Sequence, residues 1–154
     1  MAVLARFLDR IVFPVSVRYK NGPAHDDFTL WIPEPVLPGA SPSAQPVVFL
    51  INGGCVSAAD FFAAAASYVP TFTLLGTTSC GGTGAPRYEV LPDSGISFYY
   101  SQMQRKYLAT GKQIEGFGVA PDIEVVQDAD DLAAGIDTQI QAAIALLRSL
   151  QDAR

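Results

Sequence analysis

The sequence is poor in the residues on which much enzyme chemistry depends. Among 154 residues there is one histidine, His25, and there are two cysteines, Cys55 and Cys80. Two cysteines do not make a disulfide framework. Histidine, cysteine and carboxylates nowhere cluster at metal-ligand spacing, so neither a metal nor another cofactor is expected. Charged residues make up only 16%, with a net charge of −5 and no basic run, which argues against nucleic acid or anionic lipid as a partner. No apolar stretch is long enough to span a bilayer. The opening MAVLARFLDRIVFPV interrupts its apolar run with arginines and lacks a small-residue cleavage site. It reads as an amphipathic helix and not as a signal peptide.

What remains is a core-forming chain. Hydrophobic residues reach 49%, enough for one packed domain over residues 1–154. Helical spacing predicts a short helix from Val3 to about Val12, ended by Pro14. Alternation predicts strands over Val15–Tyr19 and Phe28–Ile32, and five prolines mark residues 33–46 as a loop. Val47–Ile51 is apolar without alternation, as in a strand covered on both faces. A helix from Asp60 to Val69 and a strand over Thr71–Leu75 complete a βαβ unit. Beyond the glycine-rich GTTSCGGTGAP, the turn Pro92–Gly95 joins Arg87–Leu91 to Ile96–Ser101 as a hairpin. A short strand follows over Ile123–Val126. Asp137 caps a last helix whose stripe is Ile136, Ile140, Ile144 and Leu147. The class is α/β with an antiparallel hairpin extension.

The junction FLINGGCVSAADFF, from Phe49 to Phe62, carries the chemistry. A serine on a sharp strand-to-helix turn exposes its hydroxyl, and backbone N–H groups at the helix start stabilise developing negative charge. Gly53 and Gly54 permit close approach of a substrate backbone. Ser57-Ala-Ala-Asp60 is equally a capping box, with the hydroxyl tied to the Asp60 N–H. Cys55 reads as a small buried hydrophobe, since nothing nearby lowers its pKa.

Four blocks, PVVFLINGGCVSAADFFAAA, LLGTTSCGGTG, GKQIEGFGVAPDIEV and DDLAAGIDTQIQAAIALL, occur in that order. Together they resemble the C-terminal half of the catalytic domain of the C-terminal processing (tail-specific) peptidases. The likeness extends to the tricorn protease core and the interphotoreceptor retinoid-binding proteins, and covers the chain from about Phe7 onward. It implies a crotonase-like (ClpP/crotonase) fold and serine peptidase chemistry. It also implies that residues 1–154 are the later portion of such a domain, and it favours an extracytoplasmic location for the parent.

Carried over by position, the family's nucleophile falls on Ser57 and its first oxyanion donor on the Ala58 backbone N–H. Gly82 stands where the tail-specific branch has its lysine base, and Gly81 and Thr83 cannot replace it. Lys20, Lys106 and Lys112 match nothing in that motif. The tricorn-like branch uses a histidine supported by a glutamate, and Glu115 falls on that glutamate. The branch's histidine and second oxyanion donor lie upstream of this chain. His25, in a polar turn beside Asp26 and Asp27, reads as a solvated loop residue. The expected partners are therefore a peptide or protein substrate, lying along Gly81 and Gly82, and the missing N-terminal segment of the same peptidase. The alternative is a non-catalytic module like the retinoid-binding relatives, with Phe61, Phe62, Phe98, Tyr99 and Tyr100 lining an apolar cleft. An acyl-CoA enzyme ranks last, because the resembling blocks belong to peptidases and no phosphate-binding basic residues flank the glycine loops.

Overall fold

A computed structural model describes residues 1–152. The elements are α1 (Ala2–Ala5), β1 (Val12–Tyr19), β2 (Ile32–Val36), β3 (Val47–Ile51), α2 (Ala58–Ala66), β4 (Phe72–Gly76), β5 (Pro86–Val90), β6 (Ser97–Ser101), β7 (Met103–Tyr107), β8 (Ile123–Glu124), α3 (Ala129–Ala133) and α4 (Thr138–Asp152). The class is mixed α/β, as the patterning predicts. Among the described residues no helix is long and apolar enough to cross a membrane.

The βαβ unit forms as expected. β3 and β4 pair in parallel from Val47 opposite Phe72 to Ile51 opposite Gly76, with α2 as the crossover. β8 adds to β4, again in parallel, giving the order β3-β4-β8. β3 therefore pairs on one side only among the described residues. Its Val47 to Leu50 are half-buried, although their unbroken apolar run predicts cover on both faces. α2 lays Ala63, Ala64, Ala65 and Ala66 into the core with no accessible surface. Around them pack Leu4, Val15, Ile51, Leu74, Ile114 and Val119.

A second sheet, β2-β1-β7, is antiparallel and departs most from expectation. The first helix stops at Ala5, and Pro14, read as its terminator, lies inside β1. A register shift between Val12 and Val15 accommodates this proline, as bulges do. The strand expected over Phe28–Ile32 sits later, at Ile32–Val36, and includes Pro33 and Pro35. β2 is an edge strand, where the missing proline N–H groups cost no ladder bond. β7 had no sequence signal as a strand. It pairs with β1 from Met103 opposite Tyr19 to Tyr107 opposite Val15.

β5 and β6 make the predicted hairpin, a two-stranded ribbon separate from both sheets. Asp137 caps α4, its Oδ1 accepting the Ile140 N–H at 2.9 Å. Of the predicted stripe, Ile136, Ile140 and Ile144 are exposed and only Leu147 is half-buried. The helix turns Gln139 and Ala143 inward instead, and Gln139 Nε2 donates to the Val125 carbonyl at 2.8 Å.

Candidate active site

Three chain segments converge beyond the C-terminal end of β3: residues 52–60, 77–85 and 114–119. Their tie is Asp60, which has no accessible surface. Its Oδ1 accepts the Ser79 hydroxyl at 2.5 Å and the Gly81 N–H at 2.9 Å. Its Oδ2 accepts the Ser57 N–H and the Gly82 N–H, each at 2.9 Å. Ser79 Oγ accepts the Val119 N–H at 2.8 Å, which brings in the third segment. A buried carboxylate is tolerable only when its lone pairs are filled in this way. Gly81 and Gly118 complete the joint. A Cβ on Gly81 would meet Gly118 N at 2.4 Å, so the two backbones touch with nothing between them.

Ser57 occupies the head of α2 with φ 59° and ψ −111°, a conformation a non-glycine residue rarely holds. The surrounding bonds enforce it. Ser57 N–H is held by Asp60, and its carbonyl accepts the Phe61 N–H at 3.1 Å. The reciprocal capping pair with Asp60 is thus present, but only the half in which Asp60 accepts is a full hydrogen bond. The Ser57 hydroxyl makes no cap hydrogen bond of full geometry. Ser57 is exposed on a cavity of about 310 Å³, which Ala58 and Thr83 also line. Ala58, the first residue of α2, has an N–H with no acceptor inside its own helix.

Glu115 reaches this cavity through one residue. Its Oε2 accepts both the Thr83 N–H at 2.6 Å and the Thr83 hydroxyl at 3.0 Å. Glu115 itself lines a neighbouring hollow of about 240 Å³ with Gly82, Gly84, Tyr99 and Tyr100. Gly82 thus borders accessible space. Gly81 is buried, its N–H held by Asp60 and its carbonyl by the Gly116 N–H at 2.8 Å.

His25 lies exposed on the turn between β1 and β2 and lines neither hollow. Nor do the lysines: Lys20 and Lys106 lie over the rings of Phe28 and Trp31, and Lys112 is exposed. Cys55 and Cys80 are both free thiols, on loops joined by the Cys80 N–H to Cys55 carbonyl bond of 2.8 Å. The aromatics of the binding-module alternative do not share one cleft. Phe61 faces the Ser57 cavity, Tyr99 and Tyr100 face the other, and Phe62 packs on Phe49 at 4.9 Å.

Sequence reasoning missed two contributors. Asp60 reads as a helix cap, and its loop donors lie some twenty residues downstream. Arg105, on β7, lines the Ser57 cavity while ion-paired to Glu34, Nε to Oε2 at 2.8 Å. Nothing local in MQRKY signals either contact.

Residues 5–125 match the sequence model of Peptidase family S41, so the chain belongs to that family. A carboxy-terminal-processing protease of Bartonella bacilliformis is 30% identical over 96 residues, which cover 62% of this chain and 22% of that protein. A crystal structure of a candidate peptidase from Parabacteroides merdae superposes with a TM-score of 0.84 at 31% identity, over 95% of this chain and 46% of that one. The tricorn protease superposes with a TM-score of 0.63 at 20% identity, over 97% of this chain and 14% of that one, a likeness of fold alone. The chain spans less than half the length of each of these relatives.

Proposed function

We propose that this chain is the nucleophile-bearing, C-terminal portion of the catalytic domain of a serine-type C-terminal-processing peptidase with a crotonase-like core. The observation that carries the reading is Ser57: an exposed serine at a helix head, held at positive φ on the wall of a cavity. Such strain persists only where surrounding bonds over-determine it, and it clusters at reactive positions.

In this reading Ser57 Oγ attacks the carbonyl carbon of a substrate peptide bond. A histidine outside this chain takes the hydroxyl proton and passes it to the leaving amine. The Ala58 N–H donates to the oxyanion of the tetrahedral intermediate, and water then hydrolyses the acyl-enzyme. Glu115 Oε2 is engaged by Thr83, so Oε1 is the oxygen that would orient the base and stabilise its cation. Gly82 borders the substrate path. Gly81, with both backbone groups engaged, shapes it from behind.

The one-sided pairing of β3 supports a portion supplied from elsewhere in the parent. Strands bearing the base and the second oxyanion donor would add to that free edge. The isolated chain should then turn over peptides very slowly or not at all. Fluorophosphonate labelling of a longer protein containing this chain, lost in Ser57→Ala, tests the nucleophile. Full peptidase activity from residues 1–154 alone would refute the external base.

A further inference from the structure

The antiparallel sheet β2-β1-β7 has two unlike faces. Tyr19, Met103 and Arg105 of β1 and β7 line the Ser57 cavity. Side chains alternate along a strand, so Arg18, Lys20, Gln104 and Lys106 stand on the reverse face. There the rings of Phe28 and Trp31 separate the cations. Arg18 Cζ lies 4.3 Å from the Phe28 ring centroid and 4.8 Å from that of Trp31. Lys20 Nζ lies 5.1 Å from the Phe28 centroid, and Lys106 Nζ 4.1 Å from that of Trp31. The order across the face is Lys20, Phe28, Arg18, Trp31, Lys106.

This face carries charge without countercharge. Three of the ten basic residues stand on it, in a chain of net charge −5. The ion pairs among the described residues, Arg87–Glu89 and Arg105–Glu34, include none of the three. Asp26 and Asp27, on the turn beyond Lys20, form no ion pair with it. Arg18 spends Nε on Gln104 Oε1 at 2.8 Å, and Lys20 Nζ donates to the Ala24 carbonyl. The Arg18 Nη groups and Lys106 Nζ donate to no described residue. Ser16, opposite Lys106 in register, is buried and its hydroxyl is unpartnered too. A ring face attracts a cation without neutralising its charge, so the face is rich in donors and short of acceptors.

The spacing narrows the ligand. Lys20 and Arg18 are two residues apart on β1, and Lys106 stands opposite Ser16, two residues further. Two residues of a strand span about 7 Å, so the cations repeat at that interval along the strand direction. An extended peptide with acidic residues at alternate positions presents its carboxylates on one side at the same interval. We propose that this reverse face of the sheet docks an extended, acidic segment of polypeptide, with alternate carboxylates on Lys20, Arg18 and Lys106. The rings of Phe28 and Trp31 hold the three cations apart and in line. A long polyanion also meets the rest of a net-negative molecule, Asp128, Asp130 and Asp131 included, and is repelled. A short acidic stretch meets the three cations alone. The assignment is independent of Ser57, which opens on the other side of the sheet.

The test titrates fluorescein-labelled heptapeptides into the 154-residue chain at low salt, read by anisotropy. Gly-Glu-Thr-Glu-Thr-Glu-Gly alternates its acids. Gly-Thr-Glu-Glu-Glu-Thr-Gly has the same composition with the acids adjacent, and Gly-Gln-Thr-Gln-Thr-Gln-Gly is neutral. The alternating peptide should bind about tenfold more tightly than the neutral one and about threefold more tightly than the clustered one. About 0.5 M salt should remove the preference. Lys106→Gln and Lys20→Gln should each weaken the alternating peptide about threefold or more and leave the neutral one unchanged, which places binding on this face and not in the Ser57 cavity. Binding of none of the peptides, equal binding of the alternating peptide and either control, or no effect of both lysine substitutions in folded chains overturns the proposal. So does tighter binding of a thymidine oligonucleotide or of phosphatidylglycerol vesicles, which would make the face a site for nucleic acid or lipid. The three-peptide comparison uses the unsubstituted chain, so it decides even where a variant does not fold.

Discussion

Asp60 Oδ2 holds the main-chain N–H of Ser57 at 2.9 Å, three residues upstream on the same helix head. The same carboxylate holds Ser79, Gly81 and Gly82. The backbone that presents the candidate nucleophile and the loop that faces it are therefore positioned by one buried group.

Substituting Asp60→Asn should be costly despite the near-identical shape. An amide offers one acceptor oxygen where the carboxylate offers two, so its NH₂ meets N–H and O–H donors. Each buried donor left unsatisfied costs about 1–3 kcal/mol, and a loss of at least ~3 kcal/mol is expected. The urea midpoint of the variant, measured at unchanged m-value, checks this.

Gly118→Ala should fail in the same region for a steric reason. Gly118 has φ +70°, and a Cβ there would stand 2.2 Å from the Ser79 carbonyl oxygen. Both partners are backbone and neither can retreat, so a destabilisation of about 3 kcal/mol or more is expected. Thermal unfolding beside the parent chain reads the difference.

Glu115 separates structure from chemistry. Glu115→Gln keeps an oxygen for Thr83 and should shift stability by less than about 1 kcal/mol. Glu115→Ala strands the Thr83 N–H and hydroxyl and should cost about 1–3 kcal/mol. In a longer, active protein, Glu115→Gln should lower kcat by roughly 100-fold or more through loss of base orientation. Normal turnover by the Gln variant would remove Glu115 from the mechanism.

Alkaline pH should weaken the fold through Tyr107. Burial, then the neighbouring Tyr68 and Asp60, pushes its hydroxyl up to about 12 from the usual 10. Below pH 10 both folded and unfolded states hold the proton, and Tyr107 adds no pH dependence. Between 10 and 12 the unfolded chain releases it first, so stability falls as pH rises. Urea midpoints from pH 8 to 12 should decline over that window, and less steeply in Tyr107→Phe.

The βαβ unit was legible because its signals are local: two apolar runs, an alanine-rich helix between them and a proline at its end. The hairpin was legible through Pro92 to Gly95 for the same reason. β2 was hidden because proline counts against a strand until the sheet order shows an edge. β7 was hidden because one of its two buried residues is an arginine, acceptable only through Glu34, 71 positions away. At the site, Ser57 was marked out by the strand-to-helix junction as well as by the ordered family blocks, and Glu115 by the blocks alone. Asp60 as the organising group could not be, because its donors are assembled by the fold and not by neighbouring sequence.

Among the described residues the β5–β6 ribbon has no third strand, and its Phe98, Tyr99 and Tyr100 stay open to solvent. Two-stranded ribbons are marginal by themselves, so its amides should exchange with deuterium well before those of β1. Tyr99 and Tyr100 ride on that ribbon while Gly82 and Glu115 belong to the rigid joint. The smaller hollow thus has one wall expected to yield and one tied into the Asp60 joint, so its width should vary more than that of the cavity beside Ser57.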